Sequence, residues 1–455
     1  MVALFTPWRT RELIFTASEQ YVQNYEQRHG ILKVLGMRDP VKLESVYTAV
    51  QFLDNDARSS LESIESLEQF YRQANSRRFQ FQDKEKQAKT GEKCWELLEK
   101  LENSAAKELA HTPLLLTFLC LVYDHSQNFP DNRSVLYRKA LRILLEEWAS
   151  EKRINREKIY QGLHTELEEI LLSKIAYINF ESDRLFCSGR DIVGQIKTFL
   201  ASNLNAPQQL DGEAVLNAIA VQQGILVERA DDVFSFSHLT LQEYLTAQYI
   251  DDNRLVEKLV TEHLIDKRWK EVFLLVAGLM RGGADDLLLR MEKEAQKYIN
   301  TPKLQALLKW AEQITSGSPG DYKPVGKRAV AISYANANAN AEAIEYTRKL
   351  EELKIFNNVN FTMLIDQLKE LKDKIPDDKQ PQEVHRTFLQ RLQQTLRNAF
   401  NLSPDIINLS QEEAKALENY LYANNLLIQC KQASVLVSRT TWEEIEARML
   451  LVPGN

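Results

Sequence analysis

The run Val233 to Ile250, VFSFSHLTLQEYLTAQYI, constrains this chain most, because it joins a β-hairpin to a helix through a single histidine, His238. Phe234 and Phe236 alternate with serines at the period of a half-buried strand. Ile225 to Glu228 pairs with it across Arg229 to Asp232, whose two aspartates suit a tight turn. Upstream, Glu213 to Gln223 has the apolar spacing of a helix closed by Gly224. Downstream, Thr240 and Glu243 have the spacing of a capping box, with Leu241, Tyr244, Leu245 and Tyr249 on the inward face. Helix, hairpin, helix in that order predicts a winged helix.

Winged helices often bind DNA, and local charge argues against that use. Between Asp211 and Asp252 stand eight carboxylates and one base, Arg229, and the helix in the recognition position, Ala214 to Gln223, has neither Lys nor Arg. Duplex binding needs cations to neutralise phosphates.

The motif Phe236 to Leu245, FSHLTLQEYL, resembles the winged-helix signature of NACHT proteins, a branch of the STAND signalling NTPases. His111-Thr-Pro-Leu-Leu-Leu116 is similar to the helical segment that follows the nucleotide-binding core in that family. Ser134 to Glu151 and Arg268 to Met280 resemble the helices that bracket the winged helix in bacterial members, and Ile31 to Leu53 resembles the stretch before the phosphate loop in cyanobacterial-type members. The resemblance implies that His238 reaches a phosphate of bound ADP and that Pro113 packs against the adenine. It also implies ATP or ADP and magnesium as cofactors of the intact family.

The chain departs from the family where the chemistry sits. NACHT nucleotide binding needs a G-x-x-x-x-G-K-[ST] loop, and none occurs in the sequence. Gly320 to Arg328 has one residue too many between its glycines and Arg328 where the magnesium hydroxyl belongs; it reads as a linker. Val50 to Asp54 reads as an ordinary strand end. The pre-core flank runs to about Gln82 and the post-core helix starts near Thr90, so the missing α/β core falls at Asp83 to Lys89. A recombination between similar stretches, or a faulty gene join, leaves such a junction. No cofactor is therefore expected for this chain. For His238 the competing reading is a buried histidine bridging hairpin and helix, and for Pro113 a helix-opening proline; without a phosphate loop the structural reading of His238 is preferred.

No hydrolase constellation is present: neither G-x-S-x-G nor H-E-x-x-H occurs, and the seven histidines are scattered. The formal charge of −7 gives no nucleic-acid or membrane signature. The longest apolar run, Leu114 to Val122, is too short for a bilayer span and reads as a buried core helix. Cys94, Cys120, Cys187 and Cys430 form no C-x-x-C pair, so reduced thiols and a cytoplasmic location are expected.

The fold class expected is mainly α, with helical domains around a winged helix and a C-terminal helical domain. The boundaries are an N-terminal flank 1–89, a helical domain 90–155, the winged helix 156–252, a helical extension 253–314, a linker 315–340 rich in Gly, Ser and Pro near its start, and a C-terminal helical domain 341–455. Ser410 with Glu413, and Thr441 with Glu444, are read as capping boxes of the last two helices. The C-terminal domain resembles that of bacterial NACHT defence proteins. The functional expectation is a signalling or antiphage-defence protein acting through protein partners or self-association. One alternative is a truncated record of an ATP-dependent switch that oligomerises on a trigger. The other is a nucleic-acid-binding adaptor, disfavoured by the acidity.

Overall fold

Alternating burial and long-range strand pairing set the architecture in a computed structural model. It describes residues 92–100, 119–120, 122–123, 126, 128–129, 133–142, 163, 165–204, 211–223, 225–336, 343–376, 380–403, 406 and 408–454. Expectations for the N-terminal flank, the Asp83 to Lys89 junction, Pro113 and Gly224 lie outside the described residues. The chain divides into two compact units, Met1–Asp252 and Asn253–Asn455.

In the first unit, α1 (Arg133–Arg142) is followed by α2 (Thr165–Glu181), β1 (Cys187–Ser188) and α3 (Gly189–Ser202). Then come α4 (Gly212–Asn217), a π-helical turn (Ala218–Gln223), β2 (Leu226–Ala230), β3 (Val233–Phe236) and α5 (Leu239–Asp252). The sheet order is β1-β3-β2, all antiparallel. This is the winged-helix arrangement, with one strand more than the sequence reading gave it.

The core of this unit lies where α2 meets α5. Leu167, Leu171, Leu172, Ile175 and Phe180 of α2 are buried, as are Leu241, Tyr244, Leu245 and Ile250 of α5. Burying each such side chain contributes about 1.5–3 kcal/mol, which is why the apolar spacing of α5 settles which face turns inward. Tyr244 stacks on Tyr137 of α1 at 5.7 Å between ring centroids, and Tyr249 on Tyr177 of α2 at 4.7 Å. Of the described members of the apolar run, Leu119 and Val122 are buried as expected, while Cys120 is exposed.

The second unit is helical throughout its described residues. It runs α6 (Val256–His263), a 3₁₀ turn (Lys267–Trp269), α7 (Lys270–Leu279), α8 (Asp285–Gln296), α9 (Pro302–Thr315), α10 (Pro324–Asn336) and α11 (Ala343–Leu353). The last four helices are α12 (Phe361–Lys372), α13 (Gln382–Ala399), α14 (Gln411–Ala433) and α15 (Arg439–Arg448). Among the described residues, α14 is the long central element, packed on α7 and α8. No helix of the described residues is long and apolar enough to cross a membrane.

Two expectations need correction here. The stretch read as a linker contains α10, whose Ala331 and Ile332 are fully buried and which packs on α9. Gly326, Lys327 and Arg328 are helical residues and not a loop. The Gly, Ser and Pro content is concentrated before Pro324, and a proline at a helix's first position costs no hydrogen bond, so it opens α10 instead of breaking it. Arg328 donates from Nε and Nη2 to the carbonyl of Met449 (3.1 and 2.7 Å) and from Nη2 to that of Ala447 (3.2 Å), fixing α10 to the end of α15.

The second correction concerns caps. Ser410 and Glu413 make both bonds of a capping box, 3.1 and 2.9 Å, as read. For α15 the cap is Ser438, which accepts from the Thr441 amide, so Thr441 lies inside the first turn. The two candidate residues are three apart and chemically alike, and only the backbone conformation at Ser438 separates them.

Candidate functional site

The hairpin and the helix after it build the site around His238. The turn between β2 and β3 is made by Asp231 and Asp232; Asp232 takes φ of 57°, a left-handed conformation that Asp tolerates better than most side chains. Its amide donates to Glu228 Oε1 at 3.2 Å. Register shifts between Glu228 and Ala230, because Glu228 faces Phe234 while Ala230 faces Val233. Arg229 is therefore the extra residue of a β-bulge, and bulges redirect the side chain they carry.

Redirected, Arg229 lies along the hairpin. Its Nε donates to Ser235 Oγ at 2.9 Å and its Nη2 to the carbonyl of Ser237 at 3.2 Å. The guanidinium is thereby held one residue from His238. Ser237 is anchored from the other side, its amide donating to the carbonyl of Ile225 at 2.8 Å.

His238 stands at the start of α5, and its carbonyl accepts from the amides of Leu241 (3.1 Å) and Gln242 (3.4 Å). Thr240 is accordingly the second residue of the helix and not its cap, which corrects the capping box read from Thr240 and Glu243. The side chain of His238 is exposed, so the competing reading of a buried bridging histidine does not hold. Partial desolvation of the ring, and next the charge of Arg229, hold its pKa below the usual histidine value. The ring thus stands at the start of α5 beside a guanidinium that is bound to Ser235 and Ser237. Pro113, the second residue named from the resemblance, lies outside the described residues.

β1 positions the rest of the wing. Cys187 and Ser188 face Phe234 and Val233, and the Gly189 amide donates to the carbonyl of Asp232 at 2.9 Å. A Cβ on Gly189 would collide with the Asp232 carboxylate and meet the Phe234 ring at 2.9 Å, so this position needs glycine for space. Sequence reasoning missed this contact, since a two-residue strand has no periodicity to detect.

It also missed a polar seam in the core. Glu169 of α2 is buried and accepts from Gln248 Nε2 of α5 at 2.7 Å. Burial first, then the nearby Glu169 carboxylate, push the Tyr244 phenol far above its ordinary pKa, while Arg138 of α1 opposes the shift. The Glu168-Glu169 pair inside an apolar helix was the available signal.

The recognition-position helix offers no basic side chain, and Glu213 at its start is exposed. The local geometry is a winged helix without the cationic face of a DNA reader.

Comparison with known families agrees with this class. Residues 133–250 match the winged helix-turn-helix domain C-terminal to NACHT, and residues 364–452 match the NACHT C-terminal helical domain 2. The chain is a NACHT-family protein, carrying two of the modules that follow the nucleotide-binding domain in that family. No curated protein and no solved structure matches it.

Proposed function

We propose that this chain is a NACHT-family signalling protein that acts by binding other proteins or copies of itself. In this reading it belongs to STAND-type signalling in the cytoplasm, such as antiphage defence, and its winged helix is a protein-contact module. The observation that carries the reading is the charge of that module: eight carboxylates and one arginine between Asp211 and Asp252, with the arginine already spent on Ser235 and Ser237. The sequence contains no phosphate loop, which favours action through contacts over action through hydrolysis. Light scattering on the purified full chain across a concentration series, together with duplex DNA binding at low salt, tests it. Concentration-dependent assembly without a DNA shift supports the reading. Salt-sensitive DNA binding defeats it.

A second reading has its own observation. His238 is exposed beside Arg229 at the first turn of α5, where a nucleotide phosphate is suited to bind, as the regulatory histidine of an ATP-dependent switch would require. Only a ligand that binds the folded state raises its melting temperature. On the first reading, ATP or ADP at about millimolar concentration leaves the melting temperature unchanged. A clear rise, lost in His238→Ala, establishes the second.

A further inference from the structure

The apolar stripe of α13 is Val384, Phe388, Leu389, Leu392 and Leu396, and of these only Leu392 is buried. The uncovered part borders a cavity of about 210 Å³ lined from α11, α12, α13 and the turn between the last two. Buried Leu368 and Leu392 make its floor, half-buried Leu371 and Phe388 its walls. Ile375 and Leu389, 51% and 44% exposed, form its rim. Along α13 the lining runs from His385 to Leu392, two helical turns or roughly 10 Å. An apolar cavity of about 150 Å³ already takes up benzene, so this one has room for a single short hydrocarbon chain.

Charge selects the kind of chain. Lys372 and His385 are the polar members of the described lining, which includes no carboxylate. Nearby cations are committed elsewhere: Lys349 pairs with Glu345 and Lys369 with Asp366, both at 2.9 Å. His385 Nδ1 lies 3.3 Å from the Pro381 carbonyl, and a proton on that nitrogen closes the contact. Among the described residues of the lining, Lys372 is therefore the free cation. An uncommitted ammonium beside an apolar cavity fits a ligand with an apolar body and an anionic head.

We infer that the cavity between α12 and α13 binds a medium-chain carboxylate, its tail laid on Leu368, Phe388 and Leu392 and its head paired with the Lys372 ammonium. The site stands apart from the protein contacts proposed above and does not depend on them. A second copy of the chain is a poorer occupant. α13 carries Arg386, Arg391 and Arg397 against one carboxylate, Glu383, so the same face of a copy would meet it with like charge. A bilayer surface is served by a protruding helix face and not by a cavity. Because Lys372 is exposed, its pairing contributes no more than about five-fold in affinity. The tail contributes most, each buried methylene tightening binding about four-fold.

The test is isothermal titration calorimetry of the full chain with octanoate, decanoate, octanol and octylammonium, each below its micellar concentration. Expected are one site per chain, decanoate tighter than octanoate by about four-fold per added methylene, and octylammonium weakest. Lys372→Met should weaken octanoate about three-fold and leave octanol unchanged, whereas Leu389→Ala should weaken both. Both side chains are exposed, so neither change removes a core contact. Equal binding of octanoate and octylammonium, unchanged octanoate binding in Lys372→Met, or no binding at all overturns the inference. It is overturned too if Leu389→Ala abolishes self-association of the chain, or binding of an acidic amphipathic peptide, while decanoate competes with neither; the groove is then a protein interface.

Discussion

Arg229 and His238 are neighbours because a one-residue bulge turns the arginine back along the hairpin, and their electrostatics follow from that turn. Desolvation and the Arg229 charge both favour the neutral imidazole. In a nuclear magnetic resonance titration, His238 should show a pKa below 6.5, and Arg229→Gln should raise it by removing the like charge. A value that does not move would mean that the guanidinium is not beside the ring. The folded chain takes up a proton at His238 less readily than the unfolded chain. The unfolded state therefore binds more protons as pH falls through about 6.5 toward the lower folded value, and stability declines over that window. His238→Asn should flatten that decline, as read by melting temperature against pH. His238 itself was legible from its place between strand and helix; its exposure was not, since sequence cannot tell a capping histidine from a buried one.

Strand and helix ends make sharper demands. Gly189 opens α3 with its Cα against Asp232 and Phe234, and Gly189→Ala should destabilise the chain by about 1–3 kcal/mol in urea unfolding, the range for forcing an extra methyl into a packed site. An unchanged midpoint would show that Asp232 swings away at no cost. At α15, Ser438→Ala should cost about 1 kcal/mol and Thr441→Ala distinctly less, because only Ser438 accepts an end amide of the helix. The reverse order would restore Thr441 as the cap. The strand β3 and the box at Ser410 were readable because capping and alternation act over a few residues. The linker reading failed because α10 is held by burial and by Arg328, and neither is a local property.

On the scale of the whole chain, the Asn253–Asn455 unit closes through α10 and α15. Arg328 satisfies two carbonyls there while buried, so Arg328→Met removes three hydrogen bonds and strands both acceptors. A loss of about 2–4 kcal/mol is expected, with faster amide exchange at residues 445–452. Intact protection of that segment would show that packing alone holds it. Arg448 makes a second fork across the same unit, to Glu292 of α8 at 2.9 and 2.8 Å. Because Arg448 is the last residue of α15, an Arg328 variant should loosen the end of that helix without freeing it from α8. The winged helix of the other unit is held by α2 against α5, where a buried Glu169 interrupts an otherwise apolar face.

What the sequence determined by itself was the order helix, hairpin, helix around His238, the mainly helical class and the acidic character of the winged helix. Periodicity, turn residues and charge are properties of short segments, and they survive without knowledge of the neighbours. Tertiary structure alone decided that β1 pairs with β3 and that Arg328 is a buried fastening. Each of these depends on two segments distant in the chain arriving together, and the free energy that selects such a meeting comes from burial and pairing that no single segment contains.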